Sequence, residues 1–501
     1  MVGTKTDPSG HWFEPTMWPA DDHRRINRYV PPNTEGIVED RAITPDAVTI
    51  TKCERNLPSN LTTLAGAPVP QVGGSHMART GGQLVDWGLH TREDDMTGTP
   101  APRPPENRLG GITVWDGQRN LGPRAIAWRG DRIESVDAAA DLWPEYSVIP
   151  GLVDTHVHLD SYAGTRRMDG TAWPLITPPE ERAFHIAANA QAAARAGVTT
   201  LRDLAADELQ LSVSRVFDEG IIQGPRLLAH GQVAMTAGHG DLFIPPHYPH
   251  RAPVADSPDE CRKLVRQWAR AGATGVKIYT SGGVLSMGDK VGWRNQTREE
   301  IRTTIDEAHA LGMLVAAHTH TAEGVEIALA EGADSIEHGT GITSDHWERL
   351  IEGNIPVAPT LLINDIIAEA RVEVSDEAQA KAADVVLERD RLFPAAGLAG
   401  VRFVLGTDAS GRYVRFGDQL EEVRAMKKIF GWSDERALVS ATSDAADAIR
   451  MGHLVGRIEA GKGTDFIVIK GRPWENIADL HADNIVAVVS RGRVISGEMP
   501  Q

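Results

Sequence analysis

Cysteine is scarce here: Cys53 and Cys261 are the only two in 501 residues, and they lie far apart. Two such residues make neither a disulfide framework nor a thiolate zinc cluster. Long apolar runs are also missing, and no stretch reaches the ~18 consecutive apolar residues of a membrane span. The opening MVGTKTDPSG is polar and lacks the apolar segment of a secretory signal. Basic charge is in deficit, with 51 Lys and Arg against 69 Asp and Glu, giving a net charge of −18. A surface of that sign repels phosphate backbones, so neither nucleic acid nor a membrane is an expected partner. What is there, 41% apolar and 24% charged residues, is ordinary globular usage. The composition fits a cytosolic enzyme acting on a small molecule.

The chain changes character along its length. Residues 1–108 hold 13 of the 30 prolines and show neither helical nor strand periodicity, the mark of a Pro/Gly-rich extension. Its aromatics, among them Trp12, Trp18 and Trp87, are costly to leave in water, so the extension is expected to pack on the main body or on a neighbouring subunit. From 109 to 149, and again from 453 to 501, short β-branched or alternating runs stand between Gly and Asp turn signals. These two groups of strands are expected to form one small β domain, a sandwich, built from both ends of the catalytic region.

Between them, 150–452, apolar strand candidates alternate with helical stretches. The candidates are 148–158, 199–203, 226–230, 276–279, 313–318, 335–338, 356–359 and 404–408. Capping boxes, Ser257 with Glu260 and Thr297 with Glu300, open two of the helices. Eight strands with intervening helices describe an α/β protein of the (β/α)8 TIM-barrel type. A doubly wound open sheet would want a Gly-rich phosphate turn after its first strand, and GLVDTHVHLD has none.

The informative side chains fall at the C-terminal strand ends: His156 and His158, Lys277, His318, His338 and Asp408. In a barrel those ends form one face, which carries the active site. Period two points His156 and His158 the same way. A lone strand-end histidine would be read as an ordinary polar residue. Four of them with a carboxylate make a divalent-metal site of nitrogen and oxygen ligands. Lys277 fits less simply, because an ammonium cannot bind a cation. It either pairs with Asp408 or has taken up CO2 to become an oxygen-bearing carbamate.

The segments PGLVDTHVHLD (150–160), GVTTLRDL (197–204), GPRLLAHG (224–231), GHGD (238–241), GVKIYTSGGV (275–284), VAAHTHTAEGVEIALAEGADSIEHGTG (315–341), LGTDAS (405–410) and GRIEAGKGTDFIVI (456–469) together resemble the amidohydrolase superfamily. The likeness is strongest to the branch of metal-dependent Xaa-Pro dipeptidases, ochratoxin-type amidases and phenylurea and thiocarbamate hydrolases. The resemblance implies a binuclear centre, with His156, His158 and Asp408 on one metal and His318 and His338 on the other. Carbamylated Lys277 and a hydroxide would bridge the two. Zinc is the expected metal, with Co, Mn or Fe as alternatives. The N-terminal extension has no counterpart in the family, and Thr464 stands where members usually carry alanine.

The expected activity is hydrolysis of an amide-type C–N bond by a metal-activated hydroxide. Candidate substrates are N-acyl amino acids, dipeptides, aryl amides, ureas and carbamates. Asp408 would take the proton from the nucleophile and return it to the leaving amine. Tyr279, two residues beyond Lys277 on the same strand face, is either an oxyanion donor or a core tyrosine. His320 and His239 are candidate substrate contacts; His318 rather than His320 is the expected ligand of the pair. Arg202 and Asp203 read as a structural pair, and His230, His247, His250 and His309 as ordinary histidines. The competing enzyme is a mononuclear imidazolonepropionase-like or deaminase-like hydrolase, which has no bridging lysine. A homo-oligomer is expected.

Overall fold

A computed structural model describes residues 106–166, 172–248 and 251–500. The expectation of a packed N-terminal extension falls outside these residues, as does His250. Among the described residues, fourteen strands form two sheets. The first contains β1 (Glu106–Trp115), β2 (Asn120–Arg129), β3 (Arg132–Ala138) and β4 (Tyr146–Pro150), and regains the chain far downstream as β12 (Phe466–Lys470), β13 (Ile485–Ser490) and β14 (Arg493–Gly497). Its order is β14-β13-β12-β4-β1-β2-β3. β1 and β4 run parallel and every other pair is antiparallel. The second sheet is wholly parallel and in chain order: β5 (Leu152–Val157), β6 (Val198–Ala206), β7 (Arg226–Gln232), β8 (Gly275–Tyr279), β9 (Leu314–Thr319), β10 (Ser335–His338) and β11 (Val357–Ala358).

The eighth expected strand, 404–408, fills its place without regular pairing. Val357 N donates to Arg402 O and Val404 N to Val357 O on one side; on the other, Thr155 N donates to Leu405 O and His158 N to Ala409 O. Isolated bridges, Val357 to Phe403 and Val157 to Ala409, therefore close the ring. The irregularity comes with a left-handed backbone at Asp408, φ +57°.

The single strand expected over 148–158 is two strands. β4 belongs to the mixed sheet and β5 to the barrel, with Gly151 between them. A Cβ at Gly151 would sit 2.1 Å from Thr199 Oγ1, so the chain can pass this crossing only as glycine. Period two then divides the mixed sheet. Val148, Phe466 and Val468 face its own core with Ile126 and Trp128. Ile149, Ile467 and Ile469 face the barrel core with Val198 and Leu201.

Helix starts follow their caps. Thr297 and Glu300 form the expected reciprocal box. Ser257 caps Glu260 N, but the Glu260 carboxylate reaches back to Asp256 N instead, so that box is only half made. Among the described residues no helix is long and apolar enough to cross a membrane.

Candidate metal centre

Two groups of ligand atoms gather at the C-terminal end of the barrel. His156, His158 and Asp408 form one; His318, His320 and His338 form the other. Within each group the ligand atoms lie inside 4.8 Å of one another. His156 and His158 share a face of β5 and its end. Their Nε2 atoms stand 3.6 and 3.1 Å from Asp408 Oδ1. Asp408 is fixed from behind: its amide donates to His156 O, and the neighbouring Thr407 hydroxyl donates to Asp154 Oδ2 at 2.6 Å. Burial pushes the Asp154 carboxyl up to about 6 despite those bonds.

The second group is held by hydroxyls and a carbonyl. His320 Nδ1 is 3.0 Å from Thr340 Oγ1, His338 Nδ1 is 2.8 Å from Thr360 Oγ1, and His318 Nε2 is 3.2 Å from Gly282 O. Among the described residues these contacts leave Nε2 of His320 and His338, and Nδ1 of His318, without a hydrogen bond. The His320 and His338 rings stack 4.7 Å apart, and His338 lies 5.0 Å from His156. His338 and Thr360 both adopt left-handed φ, +64° and +45°, conformations that non-glycine residues accept at a cost and that concentrate at functional sites.

His156, His318, His320 and His338 are buried enough to resist protonation, whereas at His158 the Asp408 carboxylate outweighs burial and raises the imidazole above its ordinary value. Burial lowers His156 and His320 to about 4, and takes His318 and His338 well below the usual range. Burial alone would raise Asp408, but His156, His158 and Lys277 hold it down at about 2. Crowded neutral imidazoles beside an ionised carboxylate are the donor set of a borderline divalent cation. His156 adds to this fit. Nδ1 has only a bent 2.8 Å contact with Glu337 Oε2, and Nε2 makes no hydrogen bond among the described residues.

Lys277, on β8, is buried, and burial brings its ammonium down to about 8 against the opposing pull of Glu337 and Asp408. Among the described residues it forms no ion pair with Asp408, whose partners are the two β5 histidines. Tyr279 is also buried and donates its hydroxyl to Gln232 Oε1 at 3.1 Å. Its ring faces His239 and His318, and burial raises its pKa, keeping the phenol protonated.

His239 stacks on His318 at 4.2 Å, and its Nδ1 meets Ser286 Oγ at 2.8 Å. That hydroxyl gives its proton to Asp289, which Lys381 also holds. His239 therefore carries its proton on Nδ1 and keeps Nε2 as an acceptor. A cavity of about 340 Å³ opens over His320 and Thr340 and is walled by Lys290, Lys381, Asp384 and Glu388. A larger recess of about 510 Å³ lies along the helix Pro258–Ala271 and touches none of these residues.

One reading of a residue pair needs correction. Arg202 does not pair with Asp203. It crosses the barrel to Glu337 at 2.7 Å, while Asp203 accepts from Leu159 N. His230 lies inside the barrel, fully buried, with neither ring nitrogen hydrogen-bonded among the described residues. His309 is at the surface on Asp334, as its ordinary reading expects. Sequence reasoning missed Glu337, although an acid directly before a strand-end histidine was visible in SIEHG.

A model of the family described as "Amidohydrolase family" matches residues 147–495. The chain is 28% identical over 368 residues to an ochratoxinase of Aspergillus niger, covering 69% of this chain and 74% of that protein. It is 27% identical over 403 residues to an imidazolonepropionase of Deinococcus radiodurans, covering 76% of this chain and 88% of that one. A crystal structure of a Xaa-Pro dipeptidase with bound methionine in the active site matches with a TM-score of 0.70 at 29% identity, covering 78% of this chain and 99% of that chain.

Proposed function

The chain belongs to the amidohydrolase family, and from that premise we propose that it is a binuclear metal hydrolase cleaving an amide-type C–N bond of a small molecule. The observation that carries this reading is the pair of ligand groups at one barrel end, His156, His158 and Asp408 beside His318, His320 and His338. In the proposal His156, His158 and Asp408 hold one divalent metal, with zinc favoured by the imidazole-rich set, and His318 and His338 hold the other. When bound, the metals supply a water activated near neutral pH and a Lewis acid for the scissile carbonyl.

The rest is work for side chains. A lysine near 8 has a substantial neutral fraction at pH 7–8. A neutral amine adds CO2 with loss of one proton, giving Lys277 the oxygens a bridge needs. Asp408, ionised and within 3.1 Å of His158, accepts the proton of the attacking water and delivers it to the leaving amine. Tyr279 donates to the developing oxyanion once its hydroxyl leaves Gln232. His320 and His239 present acceptor nitrogens to substrate.

The names of two relatives, an ochratoxinase and a Xaa-Pro dipeptidase, favour an amide or dipeptide substrate. The imidazolonepropionase relative supports the mononuclear alternative, but that reading leaves buried Lys277 without a use. The proposal includes a cytosolic site of action, favoured by two cysteines and the acidic balance, and a homo-oligomeric state that light scattering would measure. The functional test is a hydrolysis screen of the zinc-loaded protein across N-acyl amino acids, dipeptides, aryl amides, phenylureas and carbamates. Turnover of at least one class is expected. Turnover confined to cyclic amidines, with one metal per chain, would favour the alternative.

A further inference from the structure

Arg202 is a buried arginine that sends its guanidinium through the barrel interior rather than to solvent. Nε donates to Thr155 O at 2.6 Å, Nη1 to Ser335 Oγ at 3.1 Å and Nη2 to Glu337 Oε1 at 2.7 Å. Ser335 Oγ also donates to Glu337 Oε1, at 2.5 Å. One carboxylate oxygen is thus fully taken up. The other, Oε2, stands 2.8 Å from His156 Nδ1. Residues 154–156, 202 and 335–337 sit on three different strands, so this chain of contacts spans the barrel.

Glu337 and His338 are consecutive, and consecutive strand residues normally point to opposite faces. Here both serve the interior. Glu337 touches His156 and Arg202, while the His338 ring packs within 5.0 Å of His156 and 4.7 Å of His318. The left-handed φ of +64° at His338 is what breaks the alternation. One short strand therefore carries a ring of the second ligand group and, in the preceding residue, the group that grips a ring of the first.

We propose that Glu337, clamped by Arg202 and Ser335, is a positioning residue that keeps the His156 proton on Nδ1 and turns Nε2 toward a metal held with His158 and Asp408. The proposal rests on the binuclear reading above. The contact is bent and neither Nδ1 nor Oε2 makes a hydrogen bond among the described residues, but a carboxylate paired with Arg202 repels an imidazole lone pair at 2.8 Å, which favours the proton on Nδ1. Nε2 is then left as the donor nitrogen, facing Asp408. A carboxylate behind a ligating imidazole fixes tautomer and orientation and raises ligand basicity, and its loss typically costs 10–100-fold in metal affinity.

The test uses the full chain stripped of metal and reloaded with Zn2+ alone, comparing wild type with Glu337→Gln. Zinc equivalents and stepwise affinity are read by chelator competition, and the His156 tautomer by 15N NMR of histidine-labelled, metal-free protein. A glutamine that gives its oxygen to Arg202 turns its NH2 toward His156 and cannot accept from an Nδ1–H there. One of the two zinc ions should weaken by about 10–100-fold while the other stays within about threefold, and the Nδ1–H form should give way to a mixture. A variant that binds both ions as wild type does and keeps Nδ1–H overturns the proposal, as does equal weakening of both. If Glu337→Gln fails to fold by circular dichroism, Arg202→Lys, which keeps the charge and loses the fork, should show the same one-sided weakening at smaller size. Wild type that binds a single zinc would instead overturn the binuclear reading, and the tautomer result would still decide the role of Glu337.

Discussion

Asp408 stays ionised because two imidazoles and a lysine outweigh the cost of its burial. A carboxylate held near 2 is ionised at any working pH, so its oxygens are unprotonated when the water attacks. Asp408→Asn keeps the shape and a coordinating oxygen but cannot take the proton. The expected loss in kcat is about 10²–10⁴, the usual contribution of general acid–base catalysis; a variant within a few-fold of wild type would move that role to His239 or His320. The neighbouring question is which histidine of the strand-end pair binds metal. His318 lies within β9, one residue before its end, whereas His320 lies just beyond it, and rigid elements hold ligands better than loops do. His318→Ala should lose about one metal per chain and nearly all activity. His320→Ala should keep both metals and change kcat/KM; metal analysis beside kinetics would expose the reverse pattern. These ligand candidates were legible in the sequence because period two and strand-end placement are local rules. Glu337 was not, since its partner Arg202 lies 135 residues away, and no local pattern announces a contact across a barrel.

At the level of elements, the joint between the two sheets rests on a few residues. Ile467 is fully buried between β12 and the barrel, and Gly197, at φ +87°, comes so close that a Cβ would meet Ile467 Cδ1 at 2.6 Å. Ile467→Ala removes that packing and should cost about 2–5 kcal/mol in denaturant unfolding with metal content unchanged. A loss below about 1 kcal/mol would mean that the joint is looser than its burial indicates. The alternation of apolar runs with capped helices made the parallel barrel readable. The expected domain boundary, 149/150, falls next to Gly151, but 148–158 reads as one continuous strand-like run, and only Thr199, packed against Gly151 in space, divides it into two strands. The eighth strand was placed correctly but not in form, since a left-handed Asp408 leaves no sequence trace.

Among the described residues, burial lowers seven histidines below their ordinary value: His156, His230, His239, His318, His320, His338 and His346. Unfolded, they would protonate near 6.5. Between that value and about 4, where His156 and His320 lie, the unfolded chain binds more protons, so stability is full above 6.5 and falls with pH through that window. Asp154, Asp203 and Glu422, raised by burial to about 6, 7 and 8, together with Asp207, raised by burial, and His158, raised by Asp408 against burial, act in the opposite sense but are outnumbered. The Tm of the metal-free chain should therefore drop between pH 7 and 5, and zinc should raise Tm more at pH 7 than at pH 5, because protons and metal compete for the same nitrogens. A flat or rising apo Tm toward pH 5 would mean that the carboxyl groups dominate. In the proposed centre Lys277 would bridge two metals, and the most direct measurement is metal content per chain of wild type and Lys277→Ala after identical loading with zinc and bicarbonate. Two equivalents in wild type, a loss of bound metal in the variant and partial recovery with added short carboxylic acids are the predicted result; two equivalents retained in Lys277→Ala, with normal turnover, would contradict it.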